Sequence, residues 1–349
     1  MNISAQNIAD VIRGFRHVDF ELTDAYMECM AANLINAQTA QKSAYEFGWN
    51  EKLAKIDKLV GEGKDFGAIV RAMIQPSHSN TLFEPAVSHN DFKYDLVDFH
   101  NTPGKTLCAY DGKYRLVDEK YIDFRFIDCL TECLTRDIDT VVEFGAGWGK
   151  ILSLLLMSSG RSNVNYMACE PSESGRHSFA RLFGMVDGLD FSSHPFDFYA
   201  PDFSMLKGKK HVLAITCAAI EQIAFLPRSF LDGILKAAEN VTIVFYEPVG
   251  WQRSLEQINL AIKSVVEEFG GQIPITKWYG KNFVYKIHDD NFIENSAAWS
   301  ISGKYNINLL NSINTVVEER RAQIVHQQYD VYSANPLNPY SLIVLKKIN

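Results

Sequence analysis

Three glycines spaced two apart, Gly145, Gly147 and Gly149, follow the apolar run Thr140-Val141-Val142-Glu143-Phe144, where a strand would turn into a helix. Glycine at such a turn tolerates positive φ and lets the backbone lie against a ligand with no Cβ in between. Ala146 completes the small-residue surface. The spacing is GxGxG rather than the GxGxxG of a dinucleotide site, and Glu143 stands where such a site carries an apolar residue. A carboxylate at that strand end suits a cationic ligand and opposes a pyrophosphate.

A second acid, Glu170, closes the next strand-like run ahead of Pro171, 27 positions after Glu143, which is about one βαβ step. An acid at that place accepts hydrogen bonds from both hydroxyls of a ribose. At a third strand end, Asp197 offers an acceptor for an adenine amino group, and Phe198 offers a ring for its face. The same segment also carries Asp190. Three consecutive strand ends with complementary chemistry point to an adenosyl ligand.

The fourth strand ends at Cys217, ahead of Ala218, Ala219, Ile220, Glu221 and Gln222. The two alanines cannot act as a base, which leaves Glu221 and Gln222 as the polar candidates for chemistry; the alternative is an acid favourably placed at a helix N-terminus. Arg125 has a planar fork suited to a ligand carboxylate, or it pairs with Asp123 or Asp128. Asn335 and Asn338 sit in a loop stiffened by Pro336 and Pro339, facing an acceptor or building a rigid turn. Tyr305 and Asn306 fall in a late segment where an acceptor would bind, or where aromatic residues simply fill the core.

Elements that could hold these residues alternate in type from about Lys105 to Val249. Apolar strands are expected at 140–144, 164–170, 189–198, 211–216 and 241–248, with helices at 149–159, 172–183 and 227–239, the pattern of βαβ units on a buried parallel sheet. Two further strands, 323–332 and 340–347, are expected to close the chain as an antiparallel pair at the sheet edge. Residues 1–105 read as a helical cap for acceptor binding, because apolar positions in DVIRGF, DAYMECMAANLI and KIDKLVGEGKDFGAIVRAMI recur at three- and four-residue steps. Residues 106–349 form the second domain, with an insertion at about 270–320 that carries Trp278 and Tyr279.

With 34 basic and 42 acidic residues the net charge is −8, so nucleic acid is a poor partner. The six cysteines form no CxxC and no clustered metal-ligand pattern, so no metal is expected. Neither a signal-peptide pattern nor an apolar run near the ~18 residues of a membrane span is present, and a cytoplasmic protein without membrane partners is expected.

The acid followed by GxGxG, with Glu170 and Asp197-Phe198 at the next strand ends, resembles the class I S-adenosylmethionine-dependent methyltransferases. The resemblance is clear over about 140–250 and extends to the closing hairpin. It is nearest to bacterial sugar and peptide O-methyltransferases, some of which carry a stretch like Ile220-Glu221-Gln222-Ile223. It implies a Rossmann-like, seven-stranded α/β sheet whose seventh strand is antiparallel. It also implies S-adenosyl-L-methionine as cofactor, with Glu143, Gly145, Gly147 and Gly149 around the methionine part, Glu170 on the ribose and Asp197-Phe198 at the adenine. Because no histidine base accompanies Glu221, the expected reaction is O-methylation of a carboxylate on a peptide or small polar acceptor, with a sugar hydroxyl as the alternative. A non-catalytic binding subunit and a nicotinamide-dependent oxidoreductase are the remaining alternatives, and a homodimer is a possible assembly of the protein.

Overall fold

The computed structural model describes residues 45–74, 104–118, 120–253, 293, 296, 297, 299, 300 and 305–348. Within these, nine strands form one sheet in the order β2-β1-β8-β9-β7-β6-β3-β4-β5. The strands are β1 (Lys105–Tyr110), β2 (Lys113–Asp118), β3 (Thr140–Phe144), β4 (Asn165–Cys169), β5 (Phe191–His194), β6 (His211–Cys217), β7 (Asn240–Glu247), β8 (Ala322–Ser333) and β9 (Tyr340–Lys347). The five from β5 to β7 are mutually parallel. Their order is that of a doubly wound Rossmann-like sheet, which reverses between β3 and β6 and opens a ligand crevice outside the carboxyl ends there. Fully buried apolar runs such as β3 and β4 are what a parallel sheet covered on both faces requires.

Strand β9 is antiparallel to both β7 and β8, which is the reversed strand that the resemblance implied. Three expectations are corrected. The closing pair is not at the edge, since β9 lies between β7 and β8, and β8 is in turn flanked by β1. The sheet has nine strands rather than seven, because Lys105–Asp118 forms a hairpin whose alternating, partly charged residues gave no strand signal. The β1–β8 register is confined to Ala109↔Ser333 and Tyr110↔Tyr332. Residues 105–108 therefore run past the end of β8, on the side where the parallel strands also end. The third expected strand is shorter than 189–198, because Pro195 ends the ladder at His194.

Both faces are covered. One packs against α1 (45–61), α2 (Phe66–Met73), α3 (Arg125–Cys133), α4 (Lys150–Ser159) and α5 (Glu173–Phe183), with Ile56, Ile69, Leu130, Leu152 and Phe179 in its core. The other packs against α6 (Arg228–Ala237) and α7 (Leu309–Glu318) around Phe230, Ile234 and Ile313. Helix α7 thus belongs to the core, although it falls within the expected insertion. Of the expected cap, the described part is α1 and α2. The run over 55–74 breaks at Gly63 (φ 74°), and Asp65 then caps α2 by accepting the Ala68 N–H at 2.7 Å. The expected helices before 45, the loop around Pro76 and Pro85, and Trp278 and Tyr279 lie outside the described residues. Among the described residues, no helix is long and apolar enough to cross a membrane, and no cluster of His, Cys, Asp and Glu is arranged to hold a metal.

Candidate active site

All three glycines of the β3–α4 turn have positive φ: 80° at Gly145, 53° at Gly147 and 83° at Gly149. Each is also tightly packed. A Cβ would lie 2.4 Å from Ala219 Cβ at Gly145, 2.7 Å from the Trp49 ring at Gly147 and 2.5 Å from Phe179 at Gly149. The Gly145 and Ala146 N–H groups donate to the Cys169 carbonyl at the end of β4, so the turn bridges the two strand ends at the reversal point.

Glu143 is buried at the penultimate position of β3. Its carboxyl is pushed well above the ordinary range by burial first, with Glu170 adding to the rise and a bond from the Leu152 N–H opposing it. Its Oε2 is buried with no hydrogen-bond partner. Glu170 is buried beyond β4. One of its oxygens accepts the Gly147 N–H at 2.9 Å, and the other accepts the N–H and hydroxyl of Ser172 at 3.1 and 2.7 Å. Pro171 is exposed beside it. Phe198 packs edge-on to Phe196 at 5.3 Å and reaches to within 3.9 Å of the Cβ position of Gly145. Asp197 accepts its own loop's Tyr199 N–H at 2.8 Å.

Beyond β6 the chain turns through Ala218, held in the left-handed region at φ 51°, into a short 3-10 turn (Ile220–Gln222). Cys217 ends β6 with its thiol pushed up by burial and by Glu143 and Glu247 nearby. Glu247, the last residue of β7 and fully buried, accepts the N–H groups of Ala219, Ile220 and Glu221, each at 3.1 Å. It anchors the loop that presents Glu221. The Glu221 carboxyl accepts from Gln222 Nε2 at 2.6 Å and Asn338 Nδ2 at 2.9 Å. Burial, then Glu247, pushes it up to about 8, and Glu247 is itself pushed up by burial to about 7. The Glu247 carboxyl thus adds to burial in favouring the protonated form of Glu221.

The structure brings Asn338 to the adjacent pair Glu221 and Gln222, although it lies 117 residues after Glu221 and no sequence pattern links them. Asn338 Oδ1 is buried and without a partner. Asn335 builds the turn instead, accepting the Leu337 N–H at 3.0 Å. Asn306 is committed to backbone: it accepts from Asn308 and Leu309, and donates to the Ile223 carbonyl and, from its own N–H, to the Glu221 carbonyl. It positions Glu221 rather than an acceptor. Tyr305 lies beside it, its N–H on the Ser300 carbonyl.

Arg125 does not reach the glycine turn. Its guanidinium grips the Asp123 carboxylate through Nε, bonds Asp111 at 2.6 Å and the Val331 carbonyl at 2.7 Å, and lies 4.5 Å over the Tyr110 ring. The structure shows the ion pair with Asp123, and the added hairpin brings Asp111 and Tyr110 to the same guanidinium. Two residues escaped the sequence reading. Glu247 carried the same signal as Glu143 and Glu170, an acid at the end of an apolar strand. Trp49 carried none, since an aromatic on an amphipathic helix reads as core.

No family model matches the chain, and no curated protein matches it. Among solved structures it is similar to the plantazolicin methyltransferase BpumL bound to a monoazolic desmethyl analogue and SAH, at 11% identity over 64% of this chain and 84% of that one, with a TM-score of 0.37. It is similar to a Bacillus cereus O-methyltransferase in complex with SAH at 11% identity, 64% and 79% coverage and a TM-score of 0.36. A Rhodobacter sphaeroides protein assigned as a zinc-dependent alcohol dehydrogenase gives 13%, 66% and 92%, with a TM-score of 0.41. At such scores the fold is read from this chain's own strand order and register.

Proposed function

We propose that the protein is an S-adenosylmethionine-dependent O-methyltransferase acting on a hydroxyl of a neutral polar acceptor such as a sugar. The observation that carries the cofactor half is the buried Glu143 Oε2, left without a partner beside three left-handed glycines at the reversal point of the sheet. A buried carboxyl oxygen in that state calls for a donor or a cation, and an amino-acid ligand with an ammonium and a sulfonium supplies both. In this reading Glu170, steadied by the Gly147 and Ser172 N–H groups, accepts from the ribose, and Phe198 walls the adenine. When bound, the cofactor supplies an electrophilic methyl group, so the protein has mainly to align the acceptor oxygen and exclude water.

The acceptor half follows from charge. Glu143, Glu170, Glu221 and Glu247 are buried at the carboxyl ends of β3, β4, β6 and β7, while Arg125 is paired with Asp123 and Asp111. A carboxylate acceptor would bring a negative charge beside carboxyls that burial already disfavours in their ionised form. A hydroxyl needs a base, and Glu221, whose proton affinity is near neutrality, suits that task. Gln222 and Asn338 hold the Glu221 oxygens, and Glu247 and Asn306 hold its backbone. This reverses the preference for a carboxylate acceptor, which rested on the lack of a base.

The test is thermal stabilisation by S-adenosylhomocysteine against NADH, followed by mass gain of one methyl on sugar and peptide panels. Stabilisation by NADH alone rejects the cofactor assignment. Methyl transfer only to carboxylates rejects the acceptor assignment. Tight S-adenosylhomocysteine binding with no transfer to either panel would favour a binding subunit.

A further inference from the structure

Helix α1 is not a remote appendage of the sheet. The Glu46 carboxylate accepts the N–H groups of Glu173 and Ser174, both at 2.9 Å, and so caps α5 from outside. Asp57 pairs with Arg181 at 2.9 Å, about three turns further along α1 and about two along α5. These contacts hold the α1 start against the α5 start, beside Glu170 and the glycine turn. The residue that α1 then presents to the turn is Trp49. Its ring atoms Cζ2, Cη2 and Cε2 lie 2.7, 2.9 and 3.2 Å from the Cβ position that Gly147 leaves empty. This edge of the indole is the one that carries Nε1, because Cε2 is bonded to it. Nε1 is buried and has no hydrogen-bond partner.

The glycine turn is thus flanked by two buried polar atoms without partners and of opposite kind: the Glu143 Oε2 acceptor and the Trp49 Nε1 donor. An α-amino acid is complementary to that pair, ammonium towards the carboxylate and carboxylate towards the N–H. We infer that Trp49 binds the cofactor, its indole N–H donating to the α-carboxylate of the methionine moiety, the task for which the Arg125 guanidinium looked suited before its commitment to Asp123. The glycine at 147 is then required for the indole edge to reach the turn as well as for its φ. The inference rests on the proposed cofactor and deepens it.

The experiment measures binding to the full-length protein by calorimetry, using three probes: S-adenosylhomocysteine, its decarboxylated analogue, which keeps the amine, and 5′-methylthioadenosine, which lacks both groups. Trp49→Phe keeps the ring and deletes the donor. A hydrogen bond to a charged group corresponds to roughly a tenfold or greater change in affinity. Trp49→Phe is therefore expected to weaken S-adenosylhomocysteine about tenfold or more, while both carboxylate-free probes bind as they do to the wild type. Glu143→Gln is expected to weaken the two amine-bearing probes and spare 5′-methylthioadenosine. Equal weakening of all three probes by Trp49→Phe, or of none, overturns the inference. Wild-type protein that binds none of the probes instead rejects the cofactor assignment itself, and thermal melts of each variant separate lost binding from lost folding.

Discussion

Replacing Glu221 by glutamine should flatten the dependence of stability on pH. In the folded protein the carboxyl is pushed from 4.5 to about 8, by burial and then by Glu247. The unfolded chain releases this proton near 4.5, so between about 4.5 and 8 the folded state holds more protons than the unfolded one. Stability is then fully present below 4.5 and is lost as the pH rises towards 8. At about 1.4 kcal/mol per tenfold difference in proton affinity, the ceiling on that loss is roughly 5 kcal/mol. Glutamine cannot ionise, so this component of the slope disappears. The hydrogen bonds need not be lost with it. The new amide NH₂ faces one donor too many, but the Asn338 amide has a buried Oδ1 without a partner and can turn over to accept from it. Urea unfolding of wild type and Glu221→Gln from pH 5 to 8 is the assay. The variant should gain stability relative to wild type as the pH rises and lose methyl transfer to a hydroxyl acceptor, with S-adenosylhomocysteine affinity kept. Parallel stability curves would refute the buried, proton-holding Glu221 carboxyl.

Gly145→Val would drive its side chain into Ala219, 2.4 Å from the Cβ position, at a φ of 80°. It should cost about 2 kcal/mol or more and abolish S-adenosylhomocysteine binding, read by thermal melts and calorimetry. Arg125→Ala leaves Asp123 buried and unpaired, with its side chain only 3% exposed. It should destabilise by about 2–3 kcal/mol with cofactor affinity unchanged; a selective loss of affinity would restore Arg125 as a ligand residue. Glu46→Ala removes an external cap from α5, costing about 1 kcal/mol. It should weaken S-adenosylhomocysteine in proportion to how far α1 holds Trp49 in place, which tryptophan fluorescence tracks.

The glycine turn and the acids at the ends of β3 and β4 were legible because their signal is local. A turn with three positive φ angles needs glycines wherever the rest of the chain goes, and a parallel strand buried on both faces is apolar until it ends. The same locality made α4, α5 and α6 readable to within a residue or two. The order of the strands was not local. Whether β9 inserts beside β7 or closes an edge depends on pairing across about a hundred residues, and the strand pattern is the same in both cases. The β1–β2 hairpin was hidden because its residues alternate weakly and, among the described residues, its strands ladder onto the rest of the sheet only where Ala109 and Tyr110 pair with β8. That hairpin decided Arg125, which carries a fork that any carboxylate satisfies and which took the nearest ones, Asp123 and Asp111. Tertiary structure alone set Glu247 against Glu221 and Asn338, since a buried acid pair is defined by which strand ends become neighbours. It alone laid Trp49 on Gly147. Glu143 to Gly149 was the firmest signal in the sequence; the structure added the two unpartnered atoms on either side of it, which only packing could leave there.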